Sequence, residues 1–113
     1  MKVIHYGTEK PEELAVQIRL AQRQRTVRFN ISEAEGDENY KWQWEEVTLP
    51  PGVWDYGSVV AAIIGAHYTA DEMTAVINNY LLEPRTAGAE EEMAAMQQWR
   101  AYAKETARRL GAT

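Results

Sequence analysis

Residues 54–82, WDYGSVVAAIIGAHYTADEMTAVINNYLL, carry the strongest structural pattern in the chain. They read as two amphipathic helices joined by a tight corner. At the corner, Thr69-Ala70-Asp71-Glu72 has the spacing of a capping box. The threonine hydroxyl accepts from the Glu72 amide, and the Glu72 carboxylate reaches back to the Thr69 amide. Tyr68 and Met73 flank the cap at the spacing of a hydrophobic staple. Asp71 and Glu72 also put negative charge where the helix dipole favours it. Beyond the cap, Met73, Val76, Ile77, Tyr80 and Leu81 recur at i, i+3, i+4, i+7 and i+8, one apolar helix face. Pro84 stops this helix, because the residue before a proline is pushed out of the helical region. Before the corner, Asp55 is a good N-cap, and Val59, Val60, Ile63, Ile64, His67 and Tyr68 continue at helical period. The link is so short that the two helices must be near neighbours.

On the N-terminal side, Pro50-Pro51-Gly52 separates this pair from a β-hairpin spanning 26–49. Val27, Phe29 and Ile31 alternate with Arg28 and Asn30, the pattern of a half-buried strand. An acidic turn containing Gly36-Asp37 follows, and the return strand runs from Tyr40 to Leu49. Tyr40, Trp42 and Trp44 share one parity, whereas Val47 and Leu49 take the other. A β-bulge at Glu45-Glu46 would restore all five to one side. Lys2 to Tyr6 offers a third strand. Thr8 to Gln24 reads as a helix: Pro11 fits a first turn, Glu12 and Glu13 suit its start, and Arg19, Arg23 and Arg25 suit its end. Its apolar stripe of Leu14, Ile18 and Ala21 is narrow, with Val16 and Leu20 off it.

On the C-terminal side, residues 85–89 read as a loop and 90–110 as a long helix. Glu90, Glu91 and Glu92 open the helix, Arg108 and Arg109 close it, and Gly111 stops it. Met96, Trp99, Ala103, Thr106 and Leu110 form its thin stripe. The expected fold is therefore α+β: a β-hairpin, extensible to three strands, packed against three to four helices in a single domain spanning 1–113. The expected core is Val27, Phe29, Ile31, Trp42, Trp44, Val59, Ile63, Ile64, Met73, Val76, Ile77 and Tyr80.

Composition bounds the function. At 113 residues the chain has the size of one domain. It has no cysteine, hence neither a disulfide framework nor a thiolate metal site. A net charge of −5 argues against general nucleic-acid binding, which depends on neutralising phosphates. No apolar run is long enough to span a bilayer, and the start MKVIHYGTEK lacks the apolar region of a signal peptide. A cytosolic location is the default expectation. His5 and His67 are the only histidines, and neither sits in a metal-binding spacing. No nucleophile, phosphate-loop or dinucleotide motif is present. The chain is thus expected to be no enzyme and to need no cofactor. Arg19, Arg23, Arg25 and Arg28 could meet phosphate or an acidic partner, but such residues more often solvate a helix end and a strand's outer face. Tyr40, Trp42 and Trp44 read first as the core side of the hairpin. If exposed, they would form a stacking platform for sugar rings or a partner's apolar surface.

The segments VRFNIS (27–32), YKWQWEEVTLPPG (40–52), YGSVVAAIIGAHYTADEMTAVINNYL (56–81) and EEEMAAMQQWRAYAK (90–104), in that order, carry a family likeness. The chain from residue 26 onward resembles small uncharacterised proteins encoded in phages and prophages of gut bacteria, often near tail genes. Its closing Trp99-Arg100 helix is also similar to the ends of tail-fibre and tail-assembly proteins. The resemblance carries over no catalytic residue. It implies a structural or tail-assembly protein acting through protein–protein contacts, located in the cytoplasm of a bacterial host or on a virion. The partner would be a tail or fibre component, or further copies of the chain, with neither nucleic acid nor membrane involved. The contact expected is the last helix at Met96, Trp99 and Tyr102. The alternative is a carbohydrate-binding module using Tyr40, Trp42 and Trp44.

Overall fold

A computed structural model describes residues 3–19, 22–36 and 39–113. Lys2, Leu20, Ala21 and Asp37, which figure in the sequence patterns above, lie outside the described residues, as do the side chains of Ile18 and Arg19. The chain divides into two compact units, Met1–Trp54 and Asp55–Thr113. The first is a four-stranded antiparallel sheet and the second is three helices, so the chain is α+β.

The sheet comprises β1 (His5–Gly7), β2 (Leu14–Arg19), β3 (Gln22–Glu33) and β4 (Trp42–Thr48), in the order β1-β4-β3-β2. The third strand expected at the N-terminus is β1, placed at His5–Gly7. Among the described residues of Thr8 to Gln24, where a helix is expected, the chain instead forms β2 and the start of β3. Leu14, Val16 and Ile18 alternate with Ala15, Gln17 and Arg19, a period of two. Val16 and Ile18 are β-branched, and such side chains favour the pleated strand. In the helical reading Val16 fell off the stripe; at period two it falls into line. Opposite β2, the register pairs Leu14 with Val27, Val16 with Arg25 and Ile18 with Arg23.

A register shift interrupts β3 and β4 between Phe29 and Ser32. It lies on β3, not at Glu45-Glu46 as expected. Asn30 takes the left-handed conformation at φ 51°, which asparagine tolerates better than most residues. β4 therefore keeps strict alternation. Gln43, Glu45 and Val47 point to the side shared by Phe29 and Val27, and Trp42, Trp44, Glu46 and Thr48 point to the other. Past the shift, Ser32 faces Gln43 and Glu33 faces Trp42, so Ile31 joins the tryptophan side. The expected core is corrected accordingly. Val27, Phe29 and Leu49 are buried with the carboxylate of Glu45, whereas Ile31, Trp42 and Trp44 are only half-buried. Asn30 Nδ2 donates to Glu45 Oε2 at 2.7 Å, one hydrogen bond for a carboxylate that burial would otherwise penalise.

The helical unit contains α1 (Tyr56–Gly65), α2 (Ala70–Leu81) and α3 (Ala87–Arg109). Asp55 caps α1, its side chain accepting from the Ser58 amide at 2.9 Å. Hydrogen bonds from the Ser58 side chain and then the Ser58 amide hold the Asp55 carboxyl below its ordinary pKa. The capping box at Thr69 is complete: Glu72 N donates to Thr69 Oγ1 at 3.1 Å, and Thr69 N to Glu72 Oε1 at 3.2 Å. α3 begins three residues before the expected Glu90, because Thr86 acts as N-cap and accepts from the Ala89 amide at 3.1 Å. Its C-terminus is a Schellman motif. Gly111, at φ 77°, donates to Arg108 O, and Ala112 donates to Ala107 O.

α1 and α2 each pack on α3. α1 buries Val59, Val60 and Ile63. α2 buries no residue at all, which corrects the core expected there. Met73, Val76 and Tyr80 are half-buried, while Ile77 and Leu81 are exposed. The apolar face of α2 is wider than its seam with α3.

Two outcomes follow for the caps. Thr69→Ala should lower the urea stability of the helical unit by about 1 kcal/mol, while Thr69→Ser should restore most of it. The stability from the Asp55 cap is in place above the ordinary aspartate pKa and is lost as pH falls through its lower folded-state value. An NMR titration of the Asp55 carboxyl should therefore show a midpoint below that of a free aspartate.

Candidate functional site

Three places in the chain concentrate side chains capable of recognition. The first is the tryptophan side of the sheet. His5 pairs with Trp44 across β1 and β4, and their rings stack at 6.4 Å between centroids. Gly7 leaves room for the same indole, since a Cβ built there would come within 2.7 Å of Trp44 Cη2. Glu46 is the hub. Its Oε2 accepts from Trp44 Nε1 at 3.3 Å and from Arg28 Nε at 3.2 Å, and its Oε1 lies 3.5 Å from His5 Nε2. Arg28 also donates to the Glu12 carbonyl at 3.3 Å. The Lys10 ammonium sits 5.5 Å from the centre of the Trp42 ring. Tyr40 lies outside β4 and pairs with Tyr6 at 5.9 Å, and Tyr6 alternates with His5 and Gly7 along β1. Tyr40, Trp42 and Trp44 therefore do not line up as one platform. Trp42 and Trp44 are engaged by Lys10, His5 and the Gly7 backbone, and Tyr40 is engaged elsewhere. Arg25 of the expected arginine cluster stacks over Trp54 at 5.0 Å, so it too has an internal role.

The second place is the Trp99 stack on α3. The indole lies parallel to the His67 ring, 3.7 Å between centroids and 1° between planes. Its other neighbour is Tyr102 at 5.2 Å. Trp99 Nε1 donates to the Ile63 carbonyl at 3.1 Å, a carbonyl in the last turn of α1 that also accepts from the C-cap Ala66 amide at 3.2 Å. Of the three residues expected to meet a partner, Met96 is fully buried, and that assignment is corrected: it has no surface to offer. Trp99 and Tyr102 are half-buried, and the Trp99 ring is committed to holding α1, the corner and α3 together.

The third place is the seam between α2 and α3. An open cavity of about 340 Å³ is lined by Tyr68, Glu72, Ala75, Val76, Glu92 and Ala95. A second of about 260 Å³ involves Asn79, Leu82, Gly88, Ala89 and again Glu92. Both lie along the helix pair and share Glu92. Leu82, 62% exposed, lines the second cavity, while Ile77 and Leu81, exposed at 39% and 65%, lie on the other side of α2 from the cavity-lining residues. Large apolar side chains exposed together mark interaction surfaces far more than scattered single ones do. The helical period showed the sequence of this face; it did not show that nothing in the unit would cover it. The Leu81-Leu82 doublet at the very end of α2 was the available signal, since Leu82 continues past the last helical residue.

Among the described residues no three His, Cys, Asp or Glu side chains converge as metal ligands would, and no helix is long and apolar enough to cross a membrane. No protein-family profile, curated protein or solved structure matches the chain.

The packing roles of two residues are directly testable. Gly7→Ala should displace the Trp44 ring and cost about 1–3 kcal/mol by overpacking, seen as a shifted tryptophan emission and a lower urea midpoint. Trp99→Ala should destabilise the helical unit by about 2–4 kcal/mol, whereas Trp99→Phe, which keeps an aromatic ring but not the bond to Ile63, should lose about half of that. Unaltered stability of Trp99→Ala would return Trp99 to the list of free contact residues.

Proposed function

We propose that this chain is a non-enzymatic structural or assembly protein of phage or prophage origin that acts by protein–protein contact, and that the α2 face carries the contact. The observation behind this assignment is the apolar surface of α2. A 12-residue helix with an N-terminal capping box and a clear apolar stripe leaves every residue at least partly accessible. Ile77, Leu81 and Leu82 are solvent-exposed. A helix that only needed to stabilise its own unit would place polar residues at 77 and 81. The sequence resemblance to phage and prophage proteins encoded near tail genes supports a tail or fibre polypeptide as the partner. The contact moves from α3, where Met96 and Trp99 are structural, to the neighbouring helix.

The test is affinity capture of the tagged chain with the neighbouring prophage products, followed by titration of the polypeptide recovered. The double variant Ile77→Asp, Leu81→Glu should fold normally, since both positions are exposed and such surface changes usually cost little. It should weaken association at least about 30-fold, a loss of about 2 kcal/mol of the size expected for a central interface residue. Undiminished affinity in a folded variant would refute the α2 assignment.

A further inference from the structure

We infer that β2 is a dimerisation edge: two copies of this chain pair antiparallel through Leu14–Arg19, about a two-fold axis at Val16. The inference concerns the sheet and stands apart from the α2 contact proposed above.

The sheet has two edge strands, β1 and β2, and only one is protected. β1 spans three residues, and a short edge strand gives another chain little to pair with. β2 spans six. Its register with β3 runs without a shift from Leu14 to Arg19, so no bulge twists it away. It contains neither proline nor glycine. Among the described elements, β3 is the one against which β2 packs extensively. Val16, at mid-strand, is 45% exposed. An open, regular edge of this kind is a template for another strand.

The phase of the ladder fixes which backbone groups are free to pair. Arg28 N donates to Glu13 O at 2.7 Å, in the register that continues from Leu14 opposite Val27. Hydrogen-bonded and non-bonded pairs alternate along an antiparallel ladder. Residues 13, 15, 17 and 19 therefore bond to β3. Leu14, Val16 and Ile18 turn their N–H and C=O groups outward, along the open edge.

Those three positions select a second copy as the occupant. Antiparallel pairing about Val16 sets residue 14 opposite residue 18 of the other copy, 16 opposite 16, and 18 opposite 14. Every outward position on both strands then falls in a hydrogen-bonded pair that exchanges two bonds, about six bonds in all. A slide of two residues in either direction leaves only two such pairs. The same register matches residue types. Leucine meets isoleucine and valine meets valine along one face, pairings that favour a sheet. At each end, residue 13, a glutamate, stands opposite residue 19, an arginine, and like charges are opposed nowhere along the strand. Two four-stranded sheets thereby become one continuous antiparallel sheet.

Sedimentation of the full-length chain should show monomer giving way to dimer as concentration rises. Val16→Lys sets two like charges against each other at the axis and should weaken self-association at least about tenfold, with the circular dichroism of the folded chain unchanged. The chain has no cysteine, so Val16→Cys adds a single thiol at the axis. Cα atoms of a hydrogen-bonded pair lie about 5.5 Å apart, a separation that disulfides span. Mild oxidation should therefore give a covalent dimer from Val16→Cys and little from Ala101→Cys, an exposed position on α3. A chain still monomeric at about 1 mM, where even a millimolar dimer would show, overturns the inference. So does a dimer indifferent to Val16→Lys; if the Ile77/Leu81 variant abolishes that dimer instead, the self-contact lies on α2. Should Val16→Lys not fold, the cysteine pair decides alone, and equal crosslinking from positions 16 and 101 overturns the inference.

Discussion

The helical unit depends on one indole. Trp99 lies flat on His67 and gives its N–H to the Ile63 carbonyl. One side chain on α3 thereby closes the last turn of α1 and fixes the start of the corner. The capping box at Thr69 then sets the direction in which α2 leaves that corner. With both ends of the corner fixed, α2 has no freedom to roll its whole apolar stripe onto α3. Met73, Val76 and Tyr80 take the half-covered positions, and Ile77 and Leu81 are left in solvent. The exposed face is thus a consequence of how the unit is braced, not a failure of packing.

The sheet applies the opposite logic to its aromatic residues. Strict alternation along β4 puts Trp42 and Trp44 on the side away from Val27 and Phe29. There Glu46 gathers Arg28, Trp44 and His5 around one carboxylate. Those rings are engaged in holding β1 onto β4 through Gly7 and His5. The exposed apolar surface of the chain and its aromatic content are therefore different surfaces. The proposed recognition surface is the aliphatic one, Ile77 and Leu81 on α2.

Local chemistry was legible in the sequence wherever it was self-contained. The Thr69 capping box, the Asp55 cap and the Gly111 stop need only neighbouring residues, and all three are present. β2 was missed because Glu12, Glu13 and the following arginines mimic a helix charged to match its dipole. The period-two run of Leu14, Val16 and Ile18 was the stronger signal. The bulge was placed on the wrong strand because Asn30 is polar in either arrangement, so hydrophobic parity could not locate the extra residue. The site was half legible. The stripe on α2 was explicit in residues 73–81, but a stripe has the same spacing whether a neighbour covers it or not. Trp99 looked like a free contact residue because its partners, Ile63 and His67, are more than thirty residues away in sequence.

The most direct measurement is site-specific photocrosslinking. A photoreactive amino acid would be placed at Leu81 on α2, and separately at Val16 on β2 and Ala101 on α3, in cells expressing the neighbouring genes. All three positions are exposed. The account predicts an adduct from position 81, mapped to an apolar segment of another polypeptide. Adducts to a polypeptide of different sequence from position 16 or 101, with none from 81, would contradict it.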